Sequence, residues 1–247
     1  MKLGDWLSER PFSLAMSSGF FSFFAHTGML RALLERGLVP RLVAGSSAGA
    51  LVGGAYAAGV PVDALADRLH GLRRGDFWDP APGAGLLAGR RFDAILRELL
   101  PVHAIEACPL PVRVSVFDIA RRTTDVLGTG DLPSAIRASC AVPGLFHPVW
   151  IARRAYWDGG ILDRPGLAGV PQGERVLLHH IASRSPWRRR LTTPARPGMV
   201  TLAIEGLPRS GPFRLDAGRQ ALELAHAAAR RALDAPVGNG VVRVAAG

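Results

Sequence analysis

The sequence predicts an α/β fold with a mainly parallel central sheet covered by helices, and three observations carry that expectation. Short apolar runs alternate with segments of helical period. Glycine and proline punctuate the junctions. Nearly half of the 247 residues are apolar (48%), enough for a sizeable core. Phe12 to Met16 reads as a strand that meets a turn at Ser17 to Gly19. Phe23, Phe24, Met29, Leu30, Leu33 and Leu34 then give helical spacing, which Gly37 closes and Pro40 keeps from continuing. Arg41 to Ala44 is a buried strand and Ser47 to Ala58 a helix of small residues. This strand, helix, strand, helix order is the layout of a parallel sheet.

Farther along, Pro61 to Leu72 reads as helix, Pro80 to Gly89 as a Pro/Gly-rich loop, and Phe92 to Leu100 as a helix leading to the strand Val112 to Phe117. Thr123 to Leu127 is placed to pair with that strand. Asp131 caps a helix expected to run until Pro143 forces the chain out. Val176 to Ile181 and Met199 to Ile204 are strands, Leu215 to Leu233 is the last helix, and Val241 to Val244 ends the chain as a strand. No internal repeat or long low-complexity linker divides these elements, so one domain over 1–247 is expected.

Composition narrows the function classes. Net charge is +10, Lys2 is the only lysine, and the arginines fall in scattered pairs such as Arg73-Arg74, Arg90-Arg91 and Arg230-Arg231. They form no single stripe and no aromatic stacking platform lies between them, which argues against nucleic acid. Trp187 followed by Arg188 to Arg190 admits peripheral contact with an anionic membrane surface, or simply a solvated loop. Cys108 and Cys140 give neither a disulfide framework nor metal-ligand spacing. They read as buried small hydrophobes of a protein in a reducing, cytoplasmic compartment. Pro11 to Leu30 carries no formal charge, but Ser17, Ser18 and Gly19 break it, so strand, turn and helix are expected rather than a membrane span or signal peptide.

The chemistry concentrates in "LVAGSSAGALVGG". Gly45, Ser46, Ser47, Ala48 and Gly49 match G-x-S-x-G, the pattern that raises a serine hydroxyl above a sharp strand-to-helix turn, although a serine N-cap at an ordinary helix start reads the same way. A conventional α/β hydrolase would lay down several strands before that elbow, and here only one strand-helix unit precedes it. His179 and His180 are adjacent on a strand, so at most one could enter a site, and His226 lies on a helix; packing or surface roles are expected for all three. "YWDGG", Tyr156 to Gly160, supplies a carboxylate, Asp158, on what reads as an exposed turn.

Taken together, Ser18-Gly19-Phe20-Phe21-Ser22-Phe23, "AHTGMLRALLERGLVPRLVAGSSAGALVGGAYAAG", "AIRASCAVPGLFHPV" and the Asp158-Gly159-Gly160 turn resemble the patatin-like phospholipase family. The resemblance is strongest over 14–162; it implies a patatin-like three-layer fold in which 163–247 completes the sheet and adds a late helix. It further implies a serine acyl hydrolase acting on lipid esters with Ser47 as nucleophile and Asp158 as its dyad partner. Gly45 and Gly49 would shape the elbow, and backbone donors at Ser18, Gly19 and Phe20 would form the oxyanion hole. No histidine, metal or cofactor is implied. An unperturbed aspartate ionises near pH ~4, so activity is expected to fail in acid.

The loop departs from the family's glycine-rich pattern, with Ser18, Phe20 and Phe23 where glycines are usual. A non-glycine residue in the left-handed region costs roughly 1–2 kcal/mol. A second expectation therefore stands beside the first: an impaired relative that binds lipid or a protein partner through the same cleft. Phe20, Phe21, Phe23 and Phe24 read either as acyl-pocket lining or as core. His147 is expected at a loop or rim rather than in catalysis.

Overall fold

The structure, a computed structural model, describes residues 1–181 and 195–247; the Trp187 to Arg190 run lies outside the described residues. In chain order the elements are α1 (Leu3–Glu9), β1 (Ser13–Met16), α2 (Phe23–Glu35), β2 (Leu42–Ser46), α3 (Ala48–Ala57), α4 (Val62–His70), α5 (Arg74–Phe77), β3 (Gly85–Leu87) and α6 (Arg90–Leu99). They continue with β4 (Val112–Asp118), β5 (Thr123–Leu127), α7 (Leu132–Ser139), β6 (Gly144–Phe146), β7 (Val149–Ile151) and β8 (Arg154–Asp158). The last are β9 (Val176–Ile181), β10 (Met199–Glu205), α8 (Leu215–Leu233) and β11 (Val241–Ala245).

The sheet runs β11-β10-β9-β1-β2-β4-β8-β7, with β5 also paired to β4. From β11 to β4 every neighbour is parallel, whereas β8, β7 and β5 join antiparallel. This is the α/β architecture with a mainly parallel sheet. Alternation along the strands sorts the core: Leu14, Met16, Val43 and Leu177 face a large apolar cluster shared with the helices, while Ala15, Ala44, Val176 and Leu178 face a smaller one closed by Leu167 and Val170. Helices α2 and α8 pack closely on the large side. A Cβ on Gly28 of α2 would overlap the backbone of Leu222 in α8, so only glycine permits that approach.

Several boundaries differ from expectation for local reasons. Helix α7 keeps its Asp131 cap, whose carboxylate accepts the Ser134 N–H at 3.0 Å, but it ends at Ser139, four residues before Pro143. Proline disfavours helical geometry at the preceding residue too, and the chain is already turning at Cys140 to Val142. The Pro80 to Gly89 loop contains the short strand β3, paired with β6. Asp158 does not sit on an exposed turn: it is the last residue of β8 and only 7% exposed. Strands β7 and β8 form a hairpin whose two turn residues, Ala152 and Arg153, both have positive φ (46° and 65°). Such turns normally advertise themselves by asparagine or glycine, and this one does not.

Among the described residues no helix is long and apolar enough to cross a membrane.

Candidate active site

Register along the sheet brings the candidate residues together. On β4, Ser115 pairs with Ser46 at the end of β2, and the next residue, Val116, pairs with Asp158 at the end of β8. Ser47 and Asp158 therefore flank β4 at one level, at the carboxyl end of the parallel strands. Their side chains meet: Ser47 Oγ donates to Asp158 Oδ2 at 2.7 Å. The other carboxylate oxygen accepts the Gly160 N–H at 2.8 Å.

Ser47 occupies a strained elbow with φ 53° and ψ −118°, a conformation costing on the order of 1–3 kcal/mol for a residue with a Cβ. Four neighbours hold it there. Leu51 N–H donates to Ser47 O in the first turn of α3. Ser139 Oγ accepts the Ser47 N–H at 2.8 Å and donates its own hydrogen bond to Ser115 O at 2.6 Å. Gly45 and Gly49 lie against each other, and a Cβ on Gly49 would overlap the Met16 carbonyl, so α3 approaches β1 only because that residue is glycine. Ser139 is a buried serine in a helical run, with no signal in the sequence to mark it as a contact of the elbow.

The loop after β1 is less simple than expected. Ser18 N–H donates to Arg164 O at 2.7 Å, which removes Ser18 as a backbone donor to a ligand. Gly19 and Phe20 N–H have no partner among the described residues, nor has Ala48 N–H at the start of α3. Gly19, Phe20, Ser47 and Ala48 line one cleft. Backbone strain falls on Phe21 (φ 55°) and not on Ser18, Gly19 or Phe20. The Phe21 ring packs against Phe20, Phe23 and Phe77 with centroids 4.9–5.6 Å away, contacts that offset the unfavourable backbone.

Beneath the loop lies a buried histidine pair. His26 Nε2–H donates to Ser17 O at 2.8 Å, which makes His26 Nδ1 the acceptor of His179 Nδ1–H at 2.8 Å. Burial holds both rings neutral, lowering His26 to about 4 and His179 well below the usual imidazole range. The pair fixes the carbonyl just before Ser18. His180 points to the opposite face and is also buried. His147 Nε2–H donates to Gly85 O (3.1 Å) and Ala81 O (3.3 Å), and His226 bonds Glu35 at 2.9 Å. No histidine lines the cleft among the described residues.

The cleft encloses about 1000 Å³ of empty space, its open mouth included. Apart from Ser47 and Arg68 its walls are overwhelmingly apolar, built from α4, α6 and the segment after α7. Phe20, Phe21 and Phe23 line it, while Phe24 is fully buried core. Cys140 also lines it beside Ser47; it and Cys108 pack against the core as expected but are half-buried rather than fully so. Enclosure by protein, with Asp158 adding to it, pushes the Cys140 thiol well above its usual range and keeps it uncharged.

Asp158 differs from a solvated aspartate. Desolvation raises it to about 6, against the opposing hydrogen bonds from Ser47 and Gly160. If Asp158 is the base for Ser47 it must be ionised to accept a proton, and turnover should then fall tenfold per pH unit below about 6 and level off above it. The midpoint moves from the value near 4 expected of an unperturbed carboxylate. A pH profile of kcat/KM on a non-ionising ester checks this: a midpoint near 4 would mean that burial does not raise Asp158, and a profile flat down through both values would remove it as the titrating base.

The chain matches the family model described as patatin-like phospholipase over residues 14–169. It is 36% identical over 162 residues to an uncharacterized NTE family protein of Mycobacterium tuberculosis, covering 64% of this chain and 45% of that protein. It is 28% identical over 170 residues to the lysophospholipase nte1 of Emericella nidulans, covering 66% of this chain and 11% of that one. The chain thus spans less than half the length of these relatives. Among solved structures it resembles VipD from Legionella pneumophila, with TM-score 0.67 and 15% identity over 91% of this chain and 67% of that one, a likeness of fold.

Proposed function

The chain belongs to the patatin-like phospholipase family, and from that premise we propose that it hydrolyses carboxylic esters of lipids through an acyl-enzyme on Ser47. The observation that carries this reading is the 2.7 Å hydrogen bond from Ser47 Oγ to Asp158 at the edge of an apolar cleft. Asp158 accepts the Ser47 proton as Oγ attacks the ester carbonyl. The N–H groups of Gly19, Phe20 and Ala48 are the candidate donors to the developing oxyanion. Collapse of the tetrahedral intermediate expels the alcohol, which takes the proton from Asp158. Water then enters by the same route, giving its proton to Asp158, and the fatty acid leaves as Ser47 is restored. The apolar walls accept the acyl chain, each buried methylene favouring the complex by about 0.8 kcal/mol.

One observation favours the second reading, a relative that binds more than it turns over: Ser18 N–H is committed to Arg164. Loss of one oxyanion donor typically costs about 10²–10³-fold in rate. Fluorophosphonate labelling of purified protein, alongside turnover of short and long acyl esters, separates the two. Wild type is expected to label and Ser47→Ala not to. A well-folded wild type that neither labels nor turns over ester would leave the binder.

A further inference from the structure

Two exposed aromatic side chains stand at the mouth of the cleft, Phe20 (55% exposed) and Phe213 (68% exposed). Singly exposed aromatics are ordinary. These two belong to one patch continuous with the cleft. A Cβ on Gly211 would lie 3.8 Å from the Phe20 ring, Pro212 lines the cleft, and Phe213 stacks edge-on against Trp78, itself a lining residue, with centroids 5.6 Å apart. Ser210 Oγ donates to Phe21 O at 2.8 Å, tying the segment before α8 to the loop after β1.

The same rim is cationic. The Arg74 guanidinium lies 5.0 Å from the Phe213 ring centre and 5.8 Å from that of Trp78. Arg74, Arg209 and Arg214 are exposed and form no ion pair among the described residues. Neighbouring carboxylates are engaged elsewhere: Asp76 accepts the Arg73 N–H, Asp79 accepts three N–H groups at 89–91, and Asp216 pairs with Arg219. The charges of Arg74, Arg209 and Arg214 thus meet no carboxylate among the described residues, beside the mouth of an apolar cleft.

We propose that this rim is the surface by which the protein seats on an anionic lipid bilayer, with Phe20 and Phe213 entering the acyl boundary and Arg74, Arg209 and Arg214 meeting headgroup phosphates. Aromatic rings favour that interfacial depth, and arginines there gain from the negative surface potential. Seated so, the cleft mouth faces the lipid phase, and an acyl chain reaches Ser47 without crossing water. The proposal rests on the cleft being an acyl-chain site, as argued above, and makes anionic bilayers the source of substrate.

Co-sedimentation of the full chain with vesicles of mixed phosphatidylglycerol and phosphatidylcholine, or of phosphatidylcholine alone, tests it at low and high salt. Wild type should pellet with the anionic vesicles, less so in high salt, and much less with neutral ones. Phe213→Ser should weaken partitioning about tenfold, and the pair Arg209→Gln with Arg214→Gln about 25-fold, at roughly fivefold per arginine. All should keep wild-type turnover of a water-soluble short-chain ester, and Ser47→Ala should bind vesicles like wild type. Wild type that stays in the supernatant, Phe213→Ser or Arg209→Gln/Arg214→Gln protein that binds as wild type, or equal binding to neutral vesicles would each overturn the docking surface. Expected vesicle binding by a protein that turns over no ester would sustain the surface and sink the hydrolase reading instead.

Discussion

Asp158→Asn is expected to lower kcat/KM on the order of 10⁴-fold while making the protein more stable at neutral pH. The rate loss follows because an amide cannot take the Ser47 proton, and a positioned general base contributes up to about 10⁴-fold. The stability gain follows from the same burial that tunes the base. Asp158 has a folded-state value of about 6 against 3.8 unfolded. The folded chain therefore holds that proton more tightly, and wild-type stability declines as pH rises from about 4 to about 6. Above that window the ionised carboxylate destabilises the fold by roughly 3 kcal/mol. Asparagine carries no charge, and its amide can still accept from Gly160 N–H and donate to Ser47 Oγ. At pH 7.5 the variant should melt about 5 °C or more above wild type, and the gap should close below pH 4. Wild-type turnover by the variant would dismiss Asp158 as base. A lower melting temperature at pH 7.5 would show that the buried charge is compensated by groups other than Ser47 and Gly160.

Gly49→Ala should be among the most damaging single methyls near the site. The added carbon would meet the carbonyl carbon and oxygen of Met16 at under 3.0 Å, and neither side can yield, since one is sheet and the other helix backbone. Relief requires α3 to lift from β1, which carries Ser47 away from Asp158. A loss of roughly 3 kcal/mol or more is expected, with fluorophosphonate labelling abolished in whatever folds. Gly75→Ala is the matched control, because nothing lies within 4 Å of a Cβ there and its φ is ordinary. Urea midpoints of the two variants decide it; equal midpoints would mean that the close approach of α3 is dispensable.

Much of this arrangement was legible locally. β1, α2, β2 and α3 are each specified within about a dozen residues by apolar period and by glycine, so Ser47 could be placed on a strand-to-helix elbow before any contact was known. Asp158 could be picked from its neighbourhood of glycines, though not its setting. The β7 and β8 hairpin that delivers it turns on Ala152 and Arg153, residues with no preference for positive φ, held there by the ladder on either side. Its partner Ser47 is 111 positions away, and only the pairing of both flanking strands with β4 puts them in contact. The same holds for Ser139 beneath the elbow, for the division of the phenylalanines into cleft lining and core, and for the Ser18 N–H that goes to Arg164. The sequence by itself determined the α/β layout, the elbow, and which serine and which carboxylate to look for, because those are written in short-range pattern. Tertiary structure alone decided the proton affinity of the carboxylate and which backbone donors are free, because both depend on what surrounds a group in space and how completely it excludes water.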